Sequence, residues 1–346
     1  GVGASTEGST AHVAKLLAAP VLLVVDAAAM ASSVAALVHG FATFDPELDV
    51  AGVVLNRVGS ESHEDLLREA LAPLGIPVLG ALRRDPAFRW RDRHLGLIPV
   101  VEQRGAVEES LRRLAAAVAA HLDLDGIMRL AAAAPHRTTG PPPAAPPGGR
   151  CRLAVADGAA FSFSYTDNLE LLAEAGAEIM PFDPLHDPAL PAGVTGLVVG
   201  GGFPEVYAAA LADNLPLLAD TRRRVTAGLA TWAECGGLLW MGRNLDGHSL
   251  CGVIETSARM TEGLTLGYRT ATFRRSSPLG PAGTVVRGHE FHYSWVEPPG
   301  DALSLTGRAG TTTAGWASPS FLGSYLHLHL AGAPELATAF VGTASR

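Results

Sequence analysis

The stretch from Leu229 to Met241 constrains the fold more than any other part of the chain. Mostly apolar residues lead up to Glu234-Cys235, two glycines follow, and an apolar run with helical spacing comes next. This pattern predicts a buried strand, a sharp turn and a helix, with Cys235 at the turn. The helix dipole favours a thiolate there, and the glycines let a substrate approach closely. The alternative is an inert cysteine packed in the core.

Length and charge limit the classes of protein that the chain can belong to. Its 346 residues predict two domains. A formal net charge of −8 does not favour nucleic acid as a partner, and no Lys/Arg cluster indicates a membrane surface. Asp26 interrupts the longest apolar run, so no membrane span is expected. Three cysteines without a CxxC pattern indicate a reducing, cytoplasmic setting.

The first 130 residues alternate strand and helix signals, which predicts a parallel, doubly wound α/β domain. We expect strands at 20–26, 50–58, 77–82 and 95–100, and helices at 30–43, 63–74 and 107–122. Ser9 or Thr10 is expected to cap a helix over 11–17, and phosphate or metal contact is the alternative for these hydroxyls.

Residues 131–150 are rich in Pro, Ala and Gly and predict a linker. The second domain, 151–346, restarts with α/β signals, and residues 249–310 predict short strands in a β-rich flank. A late strand is expected at 324–330 and a closing helix at 334–341.

Three segments of the second domain fit one reaction. Cys235 is the candidate nucleophile, and His327 is a base that can deprotonate it and later protonate a leaving group. Backbone N–H groups of Gly201, Gly202 and Gly236 are candidate donors to an oxyanion. Each feature alone has a structural explanation, namely core packing, a strand histidine or a tight turn. The three together in this order favour catalysis.

Four motifs in the second domain resemble the glutamine amidotransferase domain of the cobyrinic and hydrogenobyrinic acid a,c-diamide synthase family. They are Gly201-Gly-Phe-Pro-Glu205, Ala233-Glu-Cys-Gly-Gly237, Gly288-His-Glu-Phe-His-Tyr-Ser294 and Ser324-Tyr-Leu-His-Leu-His329. The first domain resembles the synthetase half of that family through residues 7–15, 24–26, 52–58 and 93–97. The resemblance implies a partial P-loop, dethiobiotin-synthetase-like domain followed by a class I, flavodoxin-like amidotransferase domain.

The resemblance assigns roles to matching residues. Cys235 would form a γ-glutamyl thioester, and His327 would be the catalytic histidine. Related amidotransferases often continue as His-x-Glu, whereas His329 stands at that place here, which puts a glutamate-oriented triad in question. Asn56 matches the position that recognises adenine in dethiobiotin-synthetase-like folds, and a strand-end turn residue is the alternative.

The family uses ATP and Mg²⁺ to activate the a and c acetate carboxylates of a corrin as acyl phosphates, which ammonia from glutamine converts to amides. We therefore expect glutamine and a corrin as partners, with a homodimer left open. No GxxxxGK[ST] occurs in the chain. We therefore expect no tightly bound nucleotide and no ligase activity from these residues alone. The expected explanation is that the sequence is an N-terminally truncated form of a full synthase, or one whose start was misassigned.

Two further interpretations stay open at this stage. The acceptor could differ, as in a cobyric acid synthase, or the chain could be a binding protein without catalysis. His289 and His292 have a spacing seen in metal sites. In a strand, however, residues three apart point to opposite faces, so the two histidines are expected in the wall of the site or in the core, and no metal site is predicted. The presence of cobalt in the corrin, the oligomeric state and the ammonia route are not determined by the sequence.

Overall fold

The computed structural model describes residues 7–88, 104–137, 140 and 143–346. The chain divides into two compact units, Gly1–Thr139 and Gly140–Arg346, and the division falls inside the predicted linker. The last residues of the predicted linker, 131–150, pack on the second unit. Ala145 is buried there, and Gly148 N–H donates to the Ala175 carbonyl at 2.8 Å.

The first unit contains a three-stranded parallel sheet with the order β1-β2-β3. Its elements in chain order are α1 Thr10–Leu17, β1 Val21–Asp26, α2 Ser33–Phe44, β2 Val50–Val58, α3 Glu61–Leu71, β3 Val78–Arg83, α4 Arg104–His121 and α5 Leu124–Ala132. Ser9 caps α1 through its side chain, which accepts from His12 N–H at 3.0 Å. The helix α5 is additional to the predicted elements, and the predicted strand at 95–100 lies outside the described residues.

Helices cover both faces of this sheet, as a doubly wound arrangement requires. Val53 and Leu55 of β2 face the core formed with α2 and α3. Gly52 faces the other way, where an added Cβ would lie 3.0 Å from Leu130 of α5. The near-continuous apolar character of β2 follows from burial on both faces.

The second unit contains a six-stranded sheet with the order β14-β15-β7-β6-β4-β5. All neighbours pair in parallel except β14 and β15. The elements up to the cysteine turn and its helix are β4 Cys151–Ala156, α6 Thr166–Glu174, β5 Ala177–Phe182, β6 Gly196–Val199, α7 Ala208–Asp213, α8 Leu215–Thr226, β7 Ala230–Glu234 and α9 Gly236–Met241. Chain order along the sheet matches the flavodoxin-like pattern, in which ligands bind at the carboxyl ends of the strands.

A second, mostly antiparallel sheet has the order β13-β12-β10-β11-β16, with β8 and β9 at its side. The remaining elements are β8 Asn244–Leu245, β9 His248–Ser249, β10 Ser257–Phe273, β11 Val285–Glu297, β12 Leu303–Gly307, β13 Gly310–Ala314, β14 Trp316–Ser318, β15 Phe321–Ser324, β16 His327–Leu328 and α10 Glu335–Ala344. The prediction of short strands over 249–310 is wrong for β10 and β11, which are 17 and 13 residues long.

The predicted late strand at 324–330 is divided between the two sheets. β15 pairs with β7 in the six-stranded sheet, and β16 pairs with β11 in the antiparallel sheet. The chain changes sheets at Tyr325-Leu326, both of which are buried. This crossover carries His327 from the carboxyl edge of one sheet onto the edge strand of the other.

Within the described ranges, none of the helices combines the length and the apolar character needed to cross a bilayer.

Candidate active site

Cys235 occupies the predicted turn between β7 and α9. Its backbone has φ 51° and ψ −102°, a strained conformation for a residue with a side chain, of the kind found at functional sites. Its N–H donates to the Ser324 carbonyl at 2.8 Å, and its Sγ lies 4.0 Å from the Phe291 carbonyl oxygen. Gly237 leaves no room for a side chain, since an added Cβ would lie 2.2 Å from the Val199 carbonyl oxygen.

His327 lies beside Cys235 and is held by a carboxylate from β7. Its Nδ1 is 3.1 Å from Glu234 Oε1, and the other carboxylate oxygen accepts from Leu328 N–H at 3.0 Å. The side chains of His327 and Glu234 are only 9% and 7% exposed. Because Nδ1 faces the carboxylate, Nε2 is the ring nitrogen left for the hydrogen bond with Cys235.

The electrostatics of this group favour a charged imidazolium. Burial acts to lower the pKa of His327, but the hydrogen bonds and negative charges of Cys235 and Glu234 outweigh it and raise the pKa to about 10. A proton on His327 is thus stabilised next to the cysteine sulfur. The arrangement of nucleophile, imidazole and orienting carboxylate is the one that activates a cysteine.

His329 does not take part in this arrangement. Its Nε2 is 3.3 Å from Asp167 Oδ2, its ring packs edge-on against Tyr165, and its side chain is 45% exposed. Glu234, which sequence reasoning missed as a functional residue, supplies the carboxylate instead. The available signal was a charged residue at the end of an otherwise apolar, buried strand, directly before the candidate nucleophile.

Two of the three glycines proposed as oxyanion donors lie close together. An added Cβ at Gly236 would lie 3.1 Å from the backbone nitrogen of Gly202. Gly201 requires a correction, since its N–H donates to the Phe163 carbonyl at 3.1 Å and the reverse bond forms at the same distance. That N–H group is engaged in a β-bridge, which leaves Gly202 and Gly236 as the candidate donors.

The β11 strand forms the other side of the site. His289 stacks on His327, with ring centroids 4.9 Å apart and planes 11° apart. His292 stacks on Tyr325, whose hydroxyl hydrogen-bonds with Ser294 at 2.8 Å. The two histidines therefore line the site or its support. Among the residues described, no group of three or more His, Cys, Asp or Glu is arranged to hold a metal ion.

The remaining predicted residues lie elsewhere. Asn56 pairs with Asp26 at the carboxyl ends of β2 and β1, and its Oδ1 accepts from Arg57 N–H at 2.9 Å. Its contact with adenine stays a prediction. Cys151 and Cys251 are buried, and burial raises the pKa of both thiols, as expected for inert cysteines. The motif at 93–97 lies outside the described residues.

Comparison with known proteins identifies the class. The model of the CobB/CobQ-like glutamine amidotransferase domain matches residues 152–335. The model of the CobQ/CobB/MinD/ParA nucleotide binding domain matches residues 4–98. Together with the two α/β units, these matches define a glutamine amidotransferase joined to a nucleotide-binding domain.

Curated relatives narrow the class to one family. Hydrogenobyrinate a,c-diamide synthase of Streptomyces coelicolor is 45% identical over 378 residues, covering 98% of this chain and 78% of that protein. Cobyrinate a,c-diamide synthase of Synechococcus is 40% identical, covering 98% and 77%. Hydrogenobyrinate a,c-diamide synthase of Thermobifida fusca is 41% identical, covering 97% and 75%. The chain belongs to the family of cobyrinate and hydrogenobyrinate a,c-diamide synthases, which confirms the resemblance found in its motifs.

Proposed function

We propose that this chain releases ammonia from glutamine at Cys235 and uses it to convert the a and c acetate carboxylates of cobyrinic or hydrogenobyrinic acid into amides, a step of cobalamin biosynthesis. The observation that carries the first half is the buried contact of Glu234 with His327, whose ring hydrogen-bonds Cys235. Family membership supports the second half.

The glutaminase half follows from the protonation state of the site. The Cys235 thiolate attacks the side-chain amide carbon of glutamine and forms a C–S bond while the amide oxygen takes up negative charge. The His327 imidazolium gives its proton to the departing nitrogen, and the C–N bond breaks to leave a thioester and ammonia. The neutral imidazole then takes a proton from water, whose oxygen attacks the thioester carbon. The C–S bond breaks, glutamate leaves, and the thiolate and the imidazolium are restored.

The negative oxygen needs donors that are already in place. The Gly202 nitrogen lies 3.1 Å from where a Cβ on Gly236 would be, and the N–H groups of these two glycines are the proposed pair. Preorganised donors of this kind contribute about 3 kcal/mol each to lowering the barrier. The Gly237 N–H, which donates to the Gly200 carbonyl at 3.0 Å, fixes the distance between the two glycine turns.

The first unit is proposed to hold ATP and Mg²⁺ in the full-length family. We expect no tight nucleotide binding by these residues alone, which contain no GxxxxGK[ST]. Asp26 and Asn56 are neighbours at the carboxyl edge of its sheet, where parallel α/β sheets bind nucleotides. The Asn56 amide fits a nucleotide base chemically, and the Asp26 carboxylate fits a cation. Asp26 also pairs with Arg57 at 2.6 Å. When bound, ATP would supply the activation of a carboxylate. Asn56 would contact the adenine.

The free cysteines of the chain fit a reducing, cytoplasmic setting.

The direct test measures ammonia release and corrin amidation with the same protein. Wild type should hydrolyse glutamine, and Cys235→Ala should abolish the reaction. Cys151→Ala, a change of the same kind at another buried cysteine, should keep it. Equal rates for wild type and Cys235→Ala would reject the nucleophile.

The acceptor is tested separately, with ATP and Mg²⁺ present, by mass spectrometry of cobyrinic and hydrogenobyrinic acid. Conversion of two carboxylates to amides with glutamine as donor is expected when the ATP-binding half is complete, since these residues alone are not expected to act as a ligase. The protein could instead hydrolyse glutamine but amidate only corrins that already carry those two amides. That result would reject the proposed acceptor and favour a cobyric acid synthase.

A further inference from the structure

His289 is not needed for any chemical step above, yet it contacts the proposed base directly. It lies opposite His327 in the antiparallel pairing of β11 with β16. Directly opposed residues project to the same face of a sheet, so the two imidazoles meet. Their rings are nearly parallel, with centroids 4.9 Å apart. The contact is therefore built into the register of two strands.

The His327 ring is bounded at its other sides by groups already described. Glu234 holds Nδ1 at 3.1 Å, and Gly201 lies against Cε1, where an added Cβ would be 3.0 Å away. One hydrogen bond fixes a point on the ring but leaves the ring free to tilt about that point. A flat partner stacked on the face removes this freedom, because tilting would drive one edge of the ring into the partner.

The charge state of His289 suits such a contact. Burial, followed by the positive charge of His327, lowers the pKa of His289 to about 4. Between about pH 4 and pH 10, His289 is thus neutral while His327 carries its proton. The face of a neutral aromatic ring attracts a cation. A positively charged side chain at this place would repel the imidazolium. The stack therefore stabilises the protonated form of His327.

We propose that His289 is a positioning residue that keeps the imidazole plane of His327 aligned with the Cys235 sulfur. This inference rests on the proposed glutaminase function. His289 acts through its neighbour and takes no proton in the reaction. What the position requires is a flat, uncharged ring, and the ability to titrate is not required.

The test compares three substitutions in the full chain. His289→Ala removes the partner, His289→Phe keeps a flat ring that cannot titrate, and His289→Gln keeps a planar polar group of smaller area. We expect His289→Ala to lower the glutaminase kcat by roughly 10- to 100-fold with KM changed less than about twofold, because misaligned reacting groups cost on this order. His289→Phe should recover most of kcat, with His289→Gln between the two.

A second readout follows the sulfur itself. The rate of Cys235 alkylation by iodoacetamide, measured against pH, reports how well His327 stabilises the thiolate. In His289→Ala the rise of this rate should move to higher pH, and in His289→Phe it should stay near that of wild type. A purely structural role would lower the thermal midpoint without moving this profile. His329→Ala, which removes an exposed histidine two residues from His327, is the matched control and should leave both readouts unchanged.

Several results would overturn the inference. One is an unchanged kcat in His289→Ala, and another is a His289→Phe variant that folds but is as slow as His289→Ala. If His289→Phe does not fold, a His289→Gln variant no faster than His289→Ala has the same meaning. Failure of the glutaminase function itself would look different, because wild type would then release no ammonia or Cys235→Ala would remain active.

Discussion

Replacing Glu234 with glutamine tests the carboxylate that holds the proposed base. Both partners of this side chain are donors: Leu328 N–H gives to one oxygen at 3.0 Å, and the Nδ1–H of His327 gives to the other, 3.1 Å away. Glutamine has one acceptor oxygen and one NH₂ group. In Glu234→Gln one of the two donors must therefore face another donor.

The imidazole can relieve this conflict only by changing tautomer. If Nδ1 gives up its proton and accepts from the amide, the ring becomes neutral with its one proton on Nε2, and it is then neither the imidazolium that stabilises the thiolate nor able to take a proton from Cys235. Loss of a hydrogen bond to a charged group costs about 1.5–3 kcal/mol, which corresponds to roughly a 10- to 150-fold lower rate. Full trapping in the wrong tautomer would extend the loss to about 10⁴-fold.

The assay is glutamine hydrolysis, with kcat and KM measured separately. We expect kcat to fall by at least about 10-fold and KM to change little, because Glu234 is buried behind His327. Glu178→Gln is the matched control, since Glu178 is an exposed carboxylate of the same unit that pairs with Arg152. A folded Glu234→Gln protein with a kcat within about twofold of wild type would refute the role of this carboxylate in orienting His327.

Three further outcomes are expected from the packing and charge of the second unit. Gly237→Ala places a Cβ 2.2 Å from the Val199 carbonyl oxygen. This clash should lower the free energy of unfolding, measured by urea denaturation, by about 1–3 kcal/mol. A variant as stable as wild type would contradict this prediction. The Arg269 guanidinium lies 2.7 Å from Glu290, whose side chain is only 9% exposed. Arg269→Ala removes this partner and should lower the free energy of unfolding by about 3–5 kcal/mol in the same assay. Arg275→Ala, which breaks an exposed ion pair, is the control. The folded pKa of His289, about 4, lies below the 6.5 of an unfolded histidine, so the unfolded state binds the extra proton and stability falls as the pH drops from about 6.5 to 4. His289→Phe should flatten this part of the curve of melting temperature against pH, and an unchanged slope would exclude His289 as its source.

Local sequence signals predicted the parts of the site that depend on neighbouring residues. The turn at Cys235 follows from an apolar strand, two glycines and a helical run within thirteen residues, and the structure has β7 and α9 on either side of it. The βα repeats likewise predicted the parallel sheets, because a strand buried on both faces has a continuous apolar pattern.

The parts that the sequence did not predict depend on contacts between distant segments. Glu234 becomes a partner of His327 only because the chain leaves the six-stranded sheet at Ser324 and joins β11 three residues later. Gly201 loses its free N–H to Phe163, 38 residues earlier in the chain, and no local pattern marks that bridge. The long hairpin of β10 and β11 was divided into short strands in the prediction because Gly263, Gly267 and Gly288 interrupt its pattern.

The crossover between the sheets at Tyr325-Leu326 has a consequence for when the cysteine becomes reactive. The nucleophile and its carboxylate belong to one layer, while the partner strand that seats the imidazole belongs to the other. A chain in which only one of these layers had formed would hold Cys235 without the His327 ring beside it. Under the proposed function, ammonia release would therefore require that both layers are in contact.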